Sequence, residues 1–419
     1  MRFSWLICLC LFCPIFAWAQ YGSISGKITR VDSKSPVARA SAFLSNSSFG
    51  TVSADNGSFA LNNLRPGQYT LVVTGIGYED YTKTVLVSNE PMHMDIELVA
   101  KSIQLREVTI TTSTRADWRR NYEQFKTEFI GSDKNAKDCE VINPDVLHFT
   151  YRKSKKLLEA DADEFLIVEN RALGYRVKYL VRNFRSDHIS GIISYSGQQL
   201  FEELPAKESQ KKKWRIKRDE AYYGSSMHFY RSLYKDRLEE EGFEMYRLSR
   251  MLNPNRAPED VILRNIDKFK VASNSKSYNA AMDSLRYWTD MEKMSRYYME
   301  DLSTTKYSSI EIVRTTDKPG IYAITFSANL YVIYNKKREE TYFRDLYRPL
   351  MMPNYEATVL SFLGKTPVAF FDMNGVIMSD GPLYEGTWSK SRLSNLLPVD
   401  YVPTAEQASN KQAAIPAEK

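Results

Sequence analysis

The residues best suited to contact a ligand lie close together: Trp214, Tyr222, Tyr223, Ser225, His228 and Arg231. On a helix begun at Ser225, His228 and Arg231 fall three residues apart and share a face. Tyr222 and Tyr223, just ahead of that helix, offer flat rings of the kind that stack on a sugar. Directly before them runs Lys211-Lys212-Lys213-Trp214-Arg215-Ile216-Lys217-Arg218, in which six of eight residues are basic. Such a run would grip an anionic glycan, a lipopolysaccharide core or a phospholipid headgroup. Each feature also has a plainer reading, and the plainer one weighs more. For the cluster it is aromatic packing at a helix start around a satisfied histidine. For the basic run it is a solvated loop and helix entrance, partly balanced by Asp219, Glu220 and Glu239 to Glu241.

Catalytic motifs are not found beside these residues. The chain has no Gly-x-Ser-x-Gly elbow, no phosphate loop and no dinucleotide Gly-x-Gly-x-x-Gly. Ser-x-x-Lys recurs, at Ser209 to Lys212 and Ser273 to Lys276 among other places, as chance allows in a chain rich in both. Its four histidines are His93, His148, His188 and His228, and none opens His-x-x-Glu or His-Glu-x-x-His, so a zinc peptidase fails on ligands and spacing. Asp161, Asp163 and Glu164 form an acidic turn that falls short of the oxygens calcium needs and lacks the EF-hand glycine. Neither metal nor cofactor is expected. Two carboxylates paired in space for glycoside hydrolysis are invisible in sequence, which keeps a hydrolase with an unrecognised site open as an alternative.

Residues 1–19 read as a signal peptide: basic Met1-Arg2, an apolar run from Phe3 to Phe16, and Ala17-Trp18-Ala19 for cleavage. Export to the periplasm or outer membrane follows as an expectation. Three of the four cysteines lie inside that segment, so Cys139 is left alone and is read as a buried, inert thiol. The net charge of +6, one unit of it from Arg2, is mild for 419 residues and does not call for nucleic acid. Beyond the leader no apolar stretch is long enough to span a membrane as a helix; Ala357 to Phe371 is broken by Gly364-Lys365 and Pro367.

The elements that position the candidate site fall into two groups. From Tyr21 to Leu98 the apolar period is two: Ile24, Gly26 and Ile28, then Tyr69, Leu71 and Val73, then Met94, Ile96 and Leu98. Turns at Asp32 to Pro36, Asp55-Asn56-Gly57 and Arg65-Pro66-Gly67 cut this stretch into about seven short strands of a small β-sandwich. After Arg115 the pattern mixes. Trp118, Tyr122, Phe125 and Phe129 keep helical spacing with Asp117 at the start; strands are read at 147–151, 175–181, 189–195, 310–314, 321–334 and 357–371. Helices are read from Ser225 to Glu241, stopped by Gly242, and from about Tyr278 to Leu302, with a hairpin turn at Asp372 to Gly375.

Gly26-Lys27-Ile28, Pro36-Val37, Asp55-x-Gly57-x-Phe59, Leu64-x-Pro66-Gly67-x-Tyr69 and Gly77-Tyr78 together resemble the carboxypeptidase regulatory-like domain. The resemblance implies a prealbumin-like sandwich, common on secreted and envelope proteins of Bacteroidetes. Leu105 to Ile110 resembles the segment that follows such domains in TonB-dependent receptors, but the remaining length is too short for a plug and barrel. Further short patterns, among them Asn143 to Leu147, Ala221 to Ser225, His228 to Leu233 and Leu397 to Tyr401, resemble an uncharacterised region found behind that sandwich in such proteins.

The expected organisation is therefore a signal peptide (1–19), a sandwich (20–100), a linker (101–115), an α+β domain (116–402) and a disordered tail (403–419). The expected function is non-enzymatic binding, by surface complementarity, of a glycan or an envelope protein. Two alternatives stand beside it: the hydrolase above, and an accessory partner of a TonB-dependent receptor.

Overall fold

The computed structural model describes residues 21–101, 114–272, 278–339, 347–348, 351–363, 367–378 and 381–405. The signal peptide, most of the expected linker with its Leu105 to Ile110 segment, and residues 406–419 of the expected tail lie outside the described residues.

The alternating stretch forms two four-stranded sheets face to face. One contains Gly22–Arg30, Ser58–Leu64, Pro91–His93 and Ile96–Leu98; the other contains Ser41–Leu44, Gly50–Val52, Gly67–Thr74 and Tyr81–Val87. Ile24 sits opposite Leu61 and Ala42 opposite Val73, which sends Ile24, Ile28, Leu61, Leu71, Val73, Ile96 and Leu98 into one buried core. The chain thus combines an N-terminal all-β sandwich with a larger α+β portion, as the patterning predicts.

The larger portion is built on antiparallel sheets. Tyr175–Asp187 and Ile192–Glu203 are the long strands of a six-stranded sheet. Helix α1 (Arg115–Phe129) lies on it, with Phe125 and Phe129 buried against Tyr179 and Phe184. Its start is a reciprocal cap between Thr114 and the expected Asp117. A five-stranded sheet runs in the order Tyr297–Lys306, Phe243–Leu252, Asn329–Arg338, Tyr355–Ser361, Leu383–Gly386, and a three-stranded sheet holds Val313–Thr315, Ile321–Thr325 and Val368–Asp372.

Several expected elements are corrected. The basic run lies within helix α2 (Glu208–Tyr222), from Lys211 in its first turn to Arg218, so it is helix and not loop. The helix expected from Ser225 to Glu241 is two, α3 (Ser226–Tyr234) and α4 (Leu238–Glu241), because Asp236 takes a left-handed conformation with φ 52° that ends the first. A helical hairpin follows, α5 (Glu259–Ala272), which the sequence reading passed over, and α6 (Tyr278–Lys293). α6 stops before Ser295, and Tyr298 lies in a strand. The stretch 310–314 opens as the helical turn Ser309–Ile312, and each of the stretches 321–334 and 357–371 divides into two strands. The turn at Asp372 to Gly375 is present, closed by Gly375 N–H donating to Asp372 O at 3.0 Å.

The sandwich is not a bead on a string. Phe43 and Val72 pack on Leu180 and Leu200 of the six-stranded sheet, and Asp80 forms an ion pair with Arg182. The segment after Leu397 straps the two together. Val399 is buried in the sandwich core and its N–H donates to Asn46 O at 2.7 Å. Asp400 accepts from the backbone N–H and the hydroxyl of Ser48. Tyr401 and Thr404 donate hydroxyls to Asp219 of α2, both at 2.6 Å, so ordered contacts continue past the expected boundary at 402.

Candidate functional site

Gly224 and Ser225 set the start of α3. Gly224 has φ +87°, and a Cβ there would meet the ring of Tyr334 at 2.7 Å and the carboxylate of Glu356 at 2.6 Å, so the tight approach requires glycine. The Ser225 hydroxyl accepts from His228 N–H at 3.1 Å, the expected cap. Gly224 N–H donates to His228 Nδ1 at 3.2 Å. That bond occupies the Nδ1 lone pair and leaves the proton of the neutral ring on Nε2, which faces Glu241 Oε2 at 3.2 Å. Tyr222, Tyr223, Phe243 and Tyr334 surround the imidazole with ring centroids 4.9 to 5.7 Å away.

Arg231 is buried and its guanidinium is anchored. Nε donates to Asn374 O at 3.0 Å, Nη1 to Tyr401 O at 3.0 Å and Nη2 to Val399 O at 2.7 Å, while the Tyr222 ring centroid lies 5.4 Å from the guanidinium carbon. This side chain therefore joins α3 to the turn at 372–375 and to the C-terminal strap. Burial pushes the Asp372 carboxyl in that turn up to about 6, opposed by backbone N–H groups of Val376 and Asn374, the Asn374 amide and the charge of Arg231.

Around these residues lies a cavity of about 200 Å³, walled by Tyr222, Tyr223, His228, Arg231, Lys235 and Glu241, with Ser232, Arg237, Pro403 and Ala405 completing it. The fold thus gathers four of the six expected residues, Tyr222, Tyr223, His228 and Arg231. Ser225 acts beneath them as the cap. Trp214 does not join them: it is buried on the inner face of α2, where Nε1 donates to Arg171 O at 2.8 Å. Lys235, Arg237 and Glu241 were missed. Lys235 continues the spacing of His228 and Arg231 by one more turn and was legible; Glu241 reaches the site only because the chain turns back after Lys235.

The other histidines are far from any shared site in sequence and pair separately, His93 beside Asp95, His148 beside Asp163, and His188 with Gln124. His148 is exposed, as the strand alternation requires. Among the described residues no group of three or more His, Cys, Asp or Glu is placed to hold a metal ion. Cys139 is buried, and that burial pushes its thiol up to about 12. No helix among the described residues is long and apolar enough to cross a membrane, which says nothing of strand-built spans.

Residues 24–110 match the model of the CarboxypepD_reg-like domain. No curated protein matches the sequence. Among solved structures, a type II cohesin–X-dockerin complex from Acetivibrio cellulolyticus is similar at 18% identity over 19% of this chain, with a TM-score of 0.18. This chain spans 58% of the length of that one. A DUF3823 family protein from Bacteroides ovatus is similar at 13% identity over 44% of this chain and 82% of its own, with a TM-score of 0.16. A protein of unknown function from Bacteroides fragilis, proposed to be membrane-associated, covers 87% of this chain and 93% of its own at 8% identity, with a TM-score of 0.17. Scores so low do not establish a shared overall fold; the sandwich rests on the domain match and the strand register.

Proposed function

We propose that this is an exported envelope protein, of a Bacteroidetes-like bacterium, that binds a small acidic sugar without chemical change. The observation that carries the reading is the cavity beside α3, where aromatic rings and charged ends meet in about 200 Å³. Rings present flat apolar faces and the charged groups fix orientation, the division of labour that recognition of a sugar uses. The volume lies below that of a drug-sized pocket, roughly 300 Å³ and up, and suits one ring unit. Arg231 and Lys235, together with Arg237, which pairs with Glu240 at 2.6 Å, give the cavity wall a cationic excess over Glu241, which favours a carboxylate-bearing ligand over a neutral one. The sandwich serves as an interaction module: Tyr81–Val87 ends its sheet without a second partner strand among the described residues and offers an edge to an envelope protein.

Binding is favoured over hydrolysis because, among the described residues, Glu241 is the one carboxylate that lines the cavity, whereas glycoside cleavage uses two. Isothermal titration with glucuronate, galacturonate and glucose tests the reading. Tighter binding of the uronates, lost in Tyr223→Ala and weakened in Lys235→Ala, is expected. Equal or absent binding of all three, or hydrolysis of an aryl glucuronide that His228→Gln abolishes, rejects it. The module is tested apart, by crosslinking in cells: recovery of a barrel protein would identify the accessory role, and recovery of the protein alone would reject it.

A further inference from the structure

Helix α2 has two faces, and the cavity uses only the end of one. Its inner face is bolted to the six-stranded sheet. Arg218 Nε donates to Leu173 O at 2.7 Å, Nη1 to Glu203 at 2.9 Å, and the guanidinium carbon lies 3.9 Å from the ring centroid of Tyr175. Trp214 lies on Gly174 so closely that a Cβ there would sit 2.1 Å from the indole. The helix is therefore held in a fixed roll, and what it shows to solvent is fixed with it.

The outer face carries Lys212, Lys213, Arg215 and Lys217, all exposed, and Ile216, which is 60% exposed. Ile216 follows Lys213 by three residues and Lys212 by four, so these side chains are neighbours on the helix surface. Lys217 pairs with Glu220 at 2.6 Å and Lys211 with Glu208 at 3.4 Å. Lys212, Lys213 and Arg215 make no ion pair among the described residues. A single exposed isoleucine needs no explanation. Set between cations that pair with no described residue on a rigidly mounted helix, it gives that face a basic patch with one apolar side chain at its centre, which an anionic lipid surface can accept.

We propose that the outer face of α2 docks on an anionic lipid surface, with Lys212, Lys213 and Arg215 at the headgroup phosphates and Ile216 in the acyl boundary. The charge is complementary to that surface, and the exposed isoleucine separates a lipid from a soluble polyanion as the occupant. This surface is distinct from the sugar cavity and does not depend on it.

Cosedimentation of the purified protein with vesicles tests it. Binding is expected to phosphatidylcholine vesicles containing phosphatidylglycerol and not to phosphatidylcholine alone, falling with added salt. Each lysine made neutral, as Lys212→Gln or Lys213→Gln, should lower partitioning by roughly five-fold, and Ile216→Ser should lower it further. These side chains are exposed, so thermal unfolding of the variants serves as a control that the fold is unchanged. Equal binding to both vesicle types, no binding, or indifference to the substitutions would overturn the proposal. So would competition by soluble heparin combined with no effect of Ile216→Ser, which would assign the face to a polyanion.

Discussion

Replacing Asp372 with asparagine should stabilise the protein near neutral pH and change little in mild acid. Asp372 is 5% exposed, and one carboxylate oxygen accepts from the backbone N–H groups of Asn374 at 2.9 Å and Val376 at 3.0 Å. Burial raises its titration from 3.8 to about 6. An acid that titrates higher in the native state than in the unfolded chain takes up a proton on folding between those two pH values. Its contribution to stability is therefore fullest below about pH 4, declines as pH rises toward 6, and is lowest above that. Over that interval the loss approaches roughly 3 kcal/mol, less whatever the surroundings recover by relaxing. Asparagine retains the accepting oxygen and never ionises, so it escapes the loss. Urea unfolding followed by tryptophan fluorescence, at about pH 4 and about pH 7.5, should show a midpoint advantage for the variant that grows with pH to roughly 1–3 kcal/mol. A difference independent of pH, or one that shrinks as pH rises, would refute the reasoning.

Arg231→Met should cost about 2–4 kcal/mol in the same assay, because three backbone carbonyls lose their buried donor; Arg231→Lys should recover less than half, since one ammonium cannot span all three. Gly174→Ala should destabilise by more than about 2 kcal/mol, as the new methyl meets Trp214 and the residue keeps φ +74°; a shift within about 0.5 kcal/mol in urea unfolding would show that the indole moves aside. Cys139 should resist a thiol reagent at mildly alkaline pH until urea unfolds the chain, since burial holds the thiol protonated; rapid labelling of the native protein would contradict the buried position.

What was legible in the sequence follows the geometry of burial. The sandwich strands alternate because one face of each is buried, and Asp55-Asn56-Gly57 and Arg65-Pro66-Gly67 mark turns with residues that turns require. Tyr297–Lys306 was illegible for the converse reason: an edge strand exposed on most of its length carries no apolar period, and Met294 and Tyr298 happened to extend the helical spacing of α6. The basic run misled as a loop because its charge outweighs Trp214, the one buried apolar residue within it, and because the burial of Arg218 cannot be read from its type. At the candidate site the aromatic and helical residues could be read, being neighbours in the chain. The strap could not: nothing near Arg231 in sequence announces that its hydrogen bonds end on Val399, Tyr401 and Asn374, since such partners are set by tertiary packing alone.

The position of Val399 inside the sandwich sets an order of events. A chain made from its first residue onward completes Gly22 to Leu98 early, but Val399, buried in the same core, arrives some three hundred residues later. Until then the core lacks that side chain, and Ser48 waits for Asp400. Long-range closures of this kind slow folding, because the loop between the partners must be gathered first. The sandwich, made early, is thus among the last parts to be sealed, and a nascent chain would keep it pliable until Val399 has been made.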